Sequence, residues 1–240
     1  MQSNIYVTLS AQLALQRRMD TVANNVANAA TGGFRAEEMT FEEIAASQAG
    51  EQTSFVSRGA ARLSQAAGET TQTGNPLDIA IRGRSYLAIA TDNGIAYTRD
   101  GRMKMTQTGE VQTLTGQSVL DASGSPLQLD PAGAAPNISG DGTITQSGRR
   151  VGAIGLFSID PAATLTRAGG ASVRTSIEPT PELDFNSNGI VQGFVEKSNV
   201  NPVLEMTHLI AVQRRFEAVS NAIRDSETSL QDAIRTLSGA

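Results

Sequence analysis

The amino-acid sequence predicts an α+β protein, in which N- and C-terminal helices form a coiled-coil domain and the middle of the chain forms a central antiparallel all-β domain. Two patterns indicate this fold class. Apolar residues recur at heptad-like spacing near both ends of the 240-residue chain, whereas the middle shows a period of two between glycine-containing turns. Only 4% of the residues are aromatic and tryptophan is absent, which predicts a slender protein.

The N-terminal helix is predicted from Ile5 to about Ala30. Its apolar stripe advances in steps of 4, 3, 4 and 3 residues, through Leu15, Met19, Val22, Val26 and Ala29. Gly32 and Gly33 follow the stripe, and a glycine just past the last periodic residue is a common helix stop. The helix is therefore expected to end near Ala30.

The C-terminal helix is predicted from about Pro202 to Leu237. Its stripe alternates steps of 3 and 4 residues through Leu209, Val212, Phe216, Val219, Ile223, Ser226, Leu230, Ala233 and Leu237. Pro202 suits the first turn of a helix, because the N–H that proline lacks would have no intrahelical partner there. Asn199 or Asn201 can cap this turn with a side-chain oxygen.

Short strands are predicted between the two helices. They cover residues 77–81, 86–90, 96–99, 103–106, 110–113 and 151–159. Tight turns are indicated by Asn93-Gly94, Asp100-Gly101, Thr108-Gly109 and Asp141-Gly142. Their spacing suggests an antiparallel meander. Residues 42–75 and 160–182 are rich in small and polar residues without either period, and they are read as extended connectors.

The predicted domain organisation follows from these elements. Residues 1–40 are the N-terminal helix of the coiled-coil axial domain, and residues 41–75 are an extended connector. Residues 76–185 are the central β domain. Residues 186–240 are a second connector and the C-terminal helix of the axial domain. Two helices alone make a marginal seam, so lateral packing in a polymer is expected to cover their remaining apolar edges.

Charge and hydropathy exclude several classes of partner. A formal net charge of −5 gives no attraction to nucleic acid or to anionic lipid head groups. No apolar run approaches the roughly 20 residues of a membrane-spanning helix, so membrane insertion is not expected. The first 20 residues combine no basic region with an apolar core and a cleavage site, so a cleaved signal peptide is not expected either.

No catalytic, cofactor-binding or metal-binding residue is predicted. Asp184, Asn186, Asn188 and Gly189 open like a calcium loop, but Val195 occupies the position that needs a bidentate carboxylate. His208 is the only histidine and lies in a predicted helix without an acid–nucleophile arrangement, so a packed or solvated helix residue is the expected role. Common nucleotide, hydrolase and zinc motifs are absent, so an enzyme is the third hypothesis.

Three segments resemble the flagellar rod and hook family of axial proteins. They are ANNVANAATGGFRA (23–36), the long run 73–120 that includes Tyr-Thr-Arg-Asp-Gly (97–101), and VQGFVEKSNVNPVLEMTHLIAVQRRFEA (191–218). In the first segment the family usually has proline where Gly32 stands. The matching positions are Asn24, Asn25, Asn28, Gly33, Phe34, Glu196, Ser198, Asn199, Val200, Glu205, Met206 and Phe216.

The resemblance implies a structural subunit of the flagellar basal-body rod. The proximal rod type matches best in length, in NAATGGFRA (28–36) and in residues 140–144, which lead into VGAIGLF (151–157). It implies polymerisation through the terminal helices into the torque-transmitting drive shaft. The implied partners are other rod proteins, copies of the chain and the type III export apparatus. The implied location is the periplasm-spanning rod, reached without a cleaved signal peptide. The alternatives are a distal rod or hook protein, and a tail or fibre subunit outside the flagellum.

The predicted assembly interface combines the two stripes with residues of the first resembling segment. It comprises Leu15, Met19, Val22, Asn25, Val26, Asn28, Phe34, Leu209, Val212, Phe216, Val219, Ile223, Leu230 and Leu237. Asn24 and Asn25 lie inside the predicted helix, where asparagine is mildly unfavourable. They are expected either to form hydrogen bonds between subunits or to face solvent.

Overall fold

A computed structural model describes residues 2–40, 43–48, 51–56 and 60–238 of the chain. Within them lie helices α1 (Gln2–Ala27) and α2 (Pro202–Ser238). The strands are β1 (Glu37–Thr40), β2 (Glu43–Gln48), β3 (Glu51–Val56), β4 (Ala60–Leu63), β5 (Thr70–Gln72), β6 (Ile79–Arg82), β7 (Tyr86–Thr91), β8 (Gly94–Thr98), β9 (Met103–Met105), β10 (Val111–Thr113), β11 (Asn137–Ile138), β12 (Thr143–Gln146), β13 (Arg149–Ala153), β14 (Leu156–Ser158), β15 (Leu165–Gly169), β16 (Ser172–Thr175), β17 (Thr180–Pro181), β18 (Gly189–Gln192) and β19 (Phe194–Glu196).

The start of α2 agrees with the sequence prediction. The helix begins at Pro202, and Asn201 is its cap: the Asn201 side-chain oxygen accepts from the amides of Val203 at 3.1 Å and Leu204 at 3.2 Å. Asn199, the other predicted cap, bonds elsewhere, because its side-chain oxygen accepts from the Ala36 amide at 2.7 Å. The sequence placed both ends of α2 to within one residue.

Helix α1 ends earlier than predicted, at Ala27 instead of about Ala30. A turn follows directly, in which the Thr31 amide donates to the Asn28 carbonyl at 3.0 Å and the Thr31 hydroxyl donates to the Asn28 side chain at 3.2 Å. Short polar side chains that bond locally compete with helix propagation, which explains the early end.

The chain divides into two compact units. Unit 1 comprises Met1–Ala27, Glu37–Ser64 and Asn201–Ala240, and unit 2 comprises Asn28–Ala36 and Gln65–Val200. In unit 1, β1 pairs with β4 and β2 pairs with β3, both antiparallel, and α1 contacts β1 and β3. None of the described helices is long and apolar enough to span a bilayer.

The two helices of unit 1 run antiparallel to each other. The side-chain amide of Gln12 donates to the Ser220 hydroxyl at 3.3 Å, and the side-chain amide of Asn25 donates to the Glu205 carboxylate at 3.3 Å. A later residue of α1 therefore meets an earlier residue of α2. The two contacts lie 13 residues apart along α1, which corresponds to about 20 Å of helix axis.

The regular secondary structure of unit 2 consists of antiparallel strands, joined by turns and loops. Its largest sheet has six strands in the order β15-β16-β8-β7-β14-β17, and β6 pairs with β18 in a separate two-stranded sheet. Strands close in sequence pair in the β7–β8, β9–β10, β12–β13 and β15–β16 hairpins. The apolar core is formed by Ile79, Ile81, Leu87, Ile89, Ala96, Met103, Val111, Val119, Leu127, Leu129, Ile138, Ile144, Ile154, Leu156 and Ile190.

The predicted coiled-coil domain is wrong. The chain has one N-terminal and one C-terminal helix among its described residues, and they share unit 1 with strands, while the regular secondary structure of unit 2 is antiparallel strands. A coiled coil buries its a and d residues in holes on a facing helix. Here Val22 and Val212 are buried, whereas the other apolar stripe residues with described side chains are half-buried: Leu15, Met19, Val26, Ala29, Leu209, Phe216, Val219 and Ile223.

The physical reason for this error lies in what a heptad pattern specifies. Apolar spacing of 3 and 4 residues identifies the face that a helix turns away from water, but it does not identify the surface that covers that face. In unit 1, α1 contacts strands β1 and β3 as well as α2. A seam shared by two helices alone is therefore not the packing that the structure shows.

Two regions read as extended connectors contain strands. Strands β2 to β5 lie within residues 43–72, and β15 to β17 lie within residues 165–181. These segments are rich in Ala, Ser, Thr, Glu and Gln, so their sequences lack the alternation of apolar and polar residues that reveals a half-buried strand. Backbone pairing with a neighbouring segment forms these strands. The domain boundaries given above stay a prediction.

The β core predicts a contrast between two leucines of unit 2. Leu87 is 0% exposed and Leu183 is 87% exposed. Replacing Leu87 with Ala should lower the free energy of unfolding of unit 2 by about 2–5 kcal/mol, because it leaves a cavity in the core. Replacing Leu183 with Ala should change it by less than about 0.5 kcal/mol. Urea unfolding followed by tyrosine fluorescence measures both, and equal losses would contradict this location of the core.

Candidate functional site

Three segments that are far apart in the sequence meet inside unit 2. They are residues 28–36, 97–102 and 194–200, and we call their meeting point the motif junction. The pairing of β19 with β5, in which Glu196 lies opposite Thr70, fixes the third segment in the unit. The third segment then bonds to the first: the Gly33 amide donates to the Glu196 carbonyl at 2.8 Å, and the Asn199 amide donates to the Phe34 carbonyl at 3.2 Å.

Gly33 allows the first segment to approach the second. Its φ of 63° lies in the left-handed region, which side-chain-bearing residues adopt at a penalty. A Cβ atom at this position would also overlap the Arg99 carbonyl group and the Asp100 amide nitrogen. Both the conformation and the lack of space therefore require glycine here. The predicted helix stop is in fact a site of close backbone approach.

Glu196 is the charged centre of the motif junction. Its side chain is 3% exposed, and its two oxygens take different partners. One oxygen accepts from the Arg35 guanidinium at 2.8 Å and from the Gly68 amide at 3.0 Å. The other accepts from the Arg99 guanidinium at 2.7 Å. A single carboxylate thus joins one arginine from the first segment and one from the second.

Backbone carbonyls also accept hydrogen bonds from the guanidinium groups of the two buried arginines. Arg99 donates to the carbonyls of Ser85 and Ile81, each at 2.7 Å, and Arg35 donates to the carbonyls of Gln65, at 2.8 Å, and Ala66. Burial and the neighbouring Arg99 guanidinium lower the pKa of Arg35 from its ordinary value. These hydrogen bonds join segments that are far apart in the sequence.

Asn199 and Phe34 complete the junction. The Asn199 amide side chain accepts from the Ala36 amide at 2.7 Å and donates to the Ala66 carbonyl at 2.8 Å. Phe34 is 1% exposed, and the Arg167 guanidinium lies 4.1 Å from the centre of its ring, within cation–π range. Phe34 is therefore packed inside unit 2, and its predicted role at an assembly interface stays a prediction.

Asn25 is also bonded within the chain. Its side-chain oxygen accepts from the Glu37 amide at 2.9 Å, while its nitrogen donates to the Glu37 carbonyl at 2.9 Å and to the Glu205 carboxylate at 3.3 Å. Both N–H donors of the amide are used in this way. Asn25 is buried inside unit 1, where it attaches the start of β1 to α1. Its predicted role between subunits stays a prediction, as does that of the half-buried Asn28.

The remaining predicted interface residues lie on the inward faces of the two helices. Val22 and Val212 are buried, and Leu15, Met19, Val26, Leu209, Phe216, Val219 and Ile223 are half-buried. The side chains of Leu230 and Leu237 lie outside the described residues. The part that these residues play in assembly stays a prediction.

The sequence analysis missed a second apolar face on each helix. On α1 it consists of Leu9 and Leu13, which are 47% and 51% exposed, and we call it the α1 strip. On α2 it consists of Val203, Met206 and Ile210, which are 73%, 50% and 53% exposed, and we call it the α2 strip. The sequence signal for these faces was the helical spacing of the residues, which is 4 on α1 and 3 and then 4 on α2.

Both strips lie on the outside of unit 1. At 3.6 residues per turn, Leu9 and Leu13 lie on the side of α1 away from buried Val22, and the α2 strip lies on the side away from buried Val212. The strips also lie toward opposite ends of the antiparallel helix pair. The α1 strip lies near the Gln12 contact with Ser220, whereas the α2 strip lies near the contact of Asn25 with Glu205.

The two sites considered for metal or acid–base chemistry are occupied by structural bonds. Asp184 accepts from the Asn186 amide at 3.1 Å and from the Ser187 hydroxyl at 2.9 Å, while the Asn188 oxygen accepts from the Arg84 amide at 3.0 Å. His208 lies on the surface of α2, with Nδ1 3.4 Å from a Glu205 oxygen. Among the described residues, no group of three or more His, Cys, Asp and Glu is arranged to hold a metal ion.

Comparison with known proteins relates this architecture to a family. Along 99% of its length, the chain is 47% identical to the flagellar basal-body rod protein FlgF of Mesorhizobium japonicum, covering 98% of that protein. The chain belongs to the flagellar basal-body rod protein family. It is also 42% identical to the FlgF protein of Rhizobium meliloti, with full coverage of both chains. It is 28% identical to the rod protein FlgG of Bacillus subtilis over 98% of each chain.

Three family models match separate parts of this rod subunit. Residues 5–35 match the flagella basal body rod protein model, and residues 80–146 match the D1 domain of the flagellar hook protein FlgE/F/G. Residues 191–236 match the C-terminal model of the flagellar basal body rod FlgEFG proteins. The motif junction contains residues from all three matched regions. The parts of the sequence that identify the family therefore meet in the structure, and the family assignment made from the sequence is confirmed.

The close approach of Gly33 to the backbone of Arg99 and Asp100 can be tested against a second glycine of similar φ. Gly74 also has a positive φ, of 73°, but a Cβ there would meet nothing within 4 Å. Replacing Gly74 with Ala should therefore destabilise unit 2 by only about 1 kcal/mol, from backbone strain. Replacing Gly33 with Ala should cost at least about 2 kcal/mol more, because backbone must move as well. Thermal unfolding compares the two variants, and equal losses would contradict the close approach.

Proposed function

We propose that this structural subunit of the flagellar basal-body rod joins its neighbours through the exposed apolar strips of its terminal helices. The observation that carries the proposal is the exposure of Leu9, Leu13, Val203, Met206 and Ile210 on the outside of unit 1. Burying such side chains stabilises an association by roughly 25 cal/mol per Å² of apolar area. A subunit that works in a polymer gains this energy in each contact that it forms.

The placement of the strips favours an extending assembly. Because the α1 strip and the α2 strip lie toward opposite ends of the helix pair, each subunit offers two different apolar surfaces. A contact between two different surfaces is heterologous, and repeated heterologous contacts produce an open helical array when the rotation does not close a ring. We propose contacts of this kind between copies of the chain and between the chain and other rod proteins.

The further features of the proposal follow the family. The subunit is proposed to pass through the type III export apparatus without a cleaved signal peptide and to take its place in the part of the rod that crosses the periplasm. There it transmits torque as a section of the drive shaft. Its helices and β unit are proposed to act through packing alone, without catalysis, because the buried charges of the motif junction are paired with one another and with backbone groups.

Ile210 provides the sharpest test of this proposal. Since the side chain is 53% exposed, replacing Ile210 with Asp should leave the unfolding of the isolated subunit within about 0.5 kcal/mol of the original protein. In the assembled rod the same change would bury an unpaired carboxylate, at a cost of several kcal/mol for each subunit. Cells that carry only this variant should therefore lack complete rods and motility.

The matched control is Ile210→Val, which keeps the surface apolar and should preserve both rods and motility. Rods are scored by electron microscopy of isolated basal bodies, and secretion of the variant is checked separately. Normal rods and motility in the Ile210→Asp strain would contradict the proposed role of the α2 strip. Failure of both variants would show that the position acts through shape and not through burial of apolar surface.

A further inference from the structure

The first segment of the motif junction depends on residues that come much later in the chain. The Gly33 amide and the Phe34 carbonyl bond to the backbone of Glu196 and Asn199, and the Ala36 amide bonds to the Asn199 side chain. The Arg35 guanidinium pairs with the Glu196 carboxylate. Residues 196–199, more than 160 positions further along the sequence, thus supply the partners of the Gly33 amide, the Phe34 carbonyl and the Ala36 amide. Arg167 of β15 also contacts this stretch, through a hydrogen bond to the Arg35 carbonyl and a cation–π contact with Phe34.

The stretch around Gln65 and Ala66, which also bonds to Arg35, is held by residues 196–199 as well. Arg35 also donates to the carbonyls of Gln65 and Ala66, which lie between β4 and β5. That stretch is itself held by the C-terminal segment: the Gly68 amide donates to the Glu196 carboxylate at 3.0 Å, and the Asn199 side chain donates to the Ala66 carbonyl at 2.8 Å. Residues 196–199 therefore hold both stretches that surround Arg35.

Arg99 is held differently from Arg35. Its guanidinium donates to the carbonyl of Ile81 in β6 and to the carbonyl of Ser85, which directly precedes β7. The second segment of the junction can therefore be in place before Glu196 arrives. The Arg35 guanidinium instead bonds to Glu196 and to the carbonyls of Gln65 and Ala66, and a buried guanidinium without its carboxylate is strongly unfavourable.

We propose that residues 196–199 form an interlock, through which the N-terminal segment 28–36 docks stably in unit 2 only when the C-terminal segment is in place. Glu196 is the positioning residue of the interlock, because it neutralises Arg35 at the point where the segments meet. Without residues 196–199 in place, segment 28–36 is expected to be released from unit 2. The inference concerns the subunit itself and does not depend on the proposed mode of assembly.

The consequence concerns both ends of the chain. Segment 28–36 follows α1 directly and leads into β1, while residue 200 lies just before α2. The interlock therefore orders the connections to both terminal helices in a single step. An incomplete chain keeps these connections unordered, whereas a complete chain orders them together.

The test is amide hydrogen exchange in the full-length protein with Glu196→Gln. The reporters are the amides of Gly33 and Ala36, whose acceptors, the Glu196 backbone carbonyl and the Asn199 side chain, are chemically unchanged by the substitution. Faster exchange at these positions therefore reports release of the segment. Loss of the buried charge should lower protection there by about 100-fold or more. Amides of β7 in the core should keep their protection.

The matched control is Lys197→Gln, which removes the neighbouring charge. Lys197 pairs with Glu69 at 3.0 Å on the surface, where both side chains are more than half exposed, so its loss should leave exchange at Gly33 unchanged. Unchanged exchange at Gly33 and Ala36 in Glu196→Gln overturns the proposal. Equal loss of protection in β7 also overturns it, because Glu196 would then support the whole core and not the docking of one segment.

A second variant keeps the test decisive if Glu196→Gln does not fold. Asn199→Ala removes the bonds to Ala36 and Ala66 without leaving a buried charge unpaired. Protection at Gly33 should fall by about tenfold while β7 is unaffected. Retained protection at Gly33 in this variant shows that the C-terminal segment does not control the docking, and it overturns the proposal.

Discussion

The Glu196 carboxylate, held between the guanidinium groups of Arg35 and Arg99, is the interaction on which the arrangement of unit 2 depends. Each arginine comes from a different part of the chain, and each is buried, so neither can be satisfied by water. Buried ion pairs add little net stability when compared with apolar packing, but breaking one leaves an uncompensated charge. The pair of salt bridges therefore acts mainly by excluding other arrangements of the three segments.

The two units meet opposite requirements of a rod subunit. Unit 2 buries a continuous apolar core among its strands, and it includes the charged junction. Unit 1 leaves apolar side chains of both helices exposed to water, which a monomeric protein usually avoids. A subunit that folds by itself and then polymerises needs both properties. Unit 2 also exposes single apolar side chains, such as Leu183 at 87%, so what distinguishes unit 1 is that its exposed apolar residues line a face of each helix.

The sequence analysis succeeded where local signals are strong and failed where a partner surface decides the outcome. Pro202 and the asparagine cap located the start of α2, and the Gly94, Gly109 and Gly142 turns all adopt positive φ. The helical stripes identified buried faces correctly around Val22 and Val212 but assigned them the wrong packing. The motif residues were recognised one by one, yet nothing in their spacing shows that Glu196 meets Arg35 and Arg99.

The sequence by itself determined the family, the two terminal helices and the β-rich middle of this protein, because periodicity, turn residues and motifs are properties of neighbouring positions. Only the tertiary structure decided that Gly33 serves a close approach, that Phe34 and Asn25 are packed within the subunit, and which apolar helix residues remain outside. These outcomes depend on contacts between residues more than 60 positions apart in the case of Gly33 and Arg99, or 180 apart in the case of Asn25 and Glu205. Local sequence patterns carry no information about which distant segment will supply the partner.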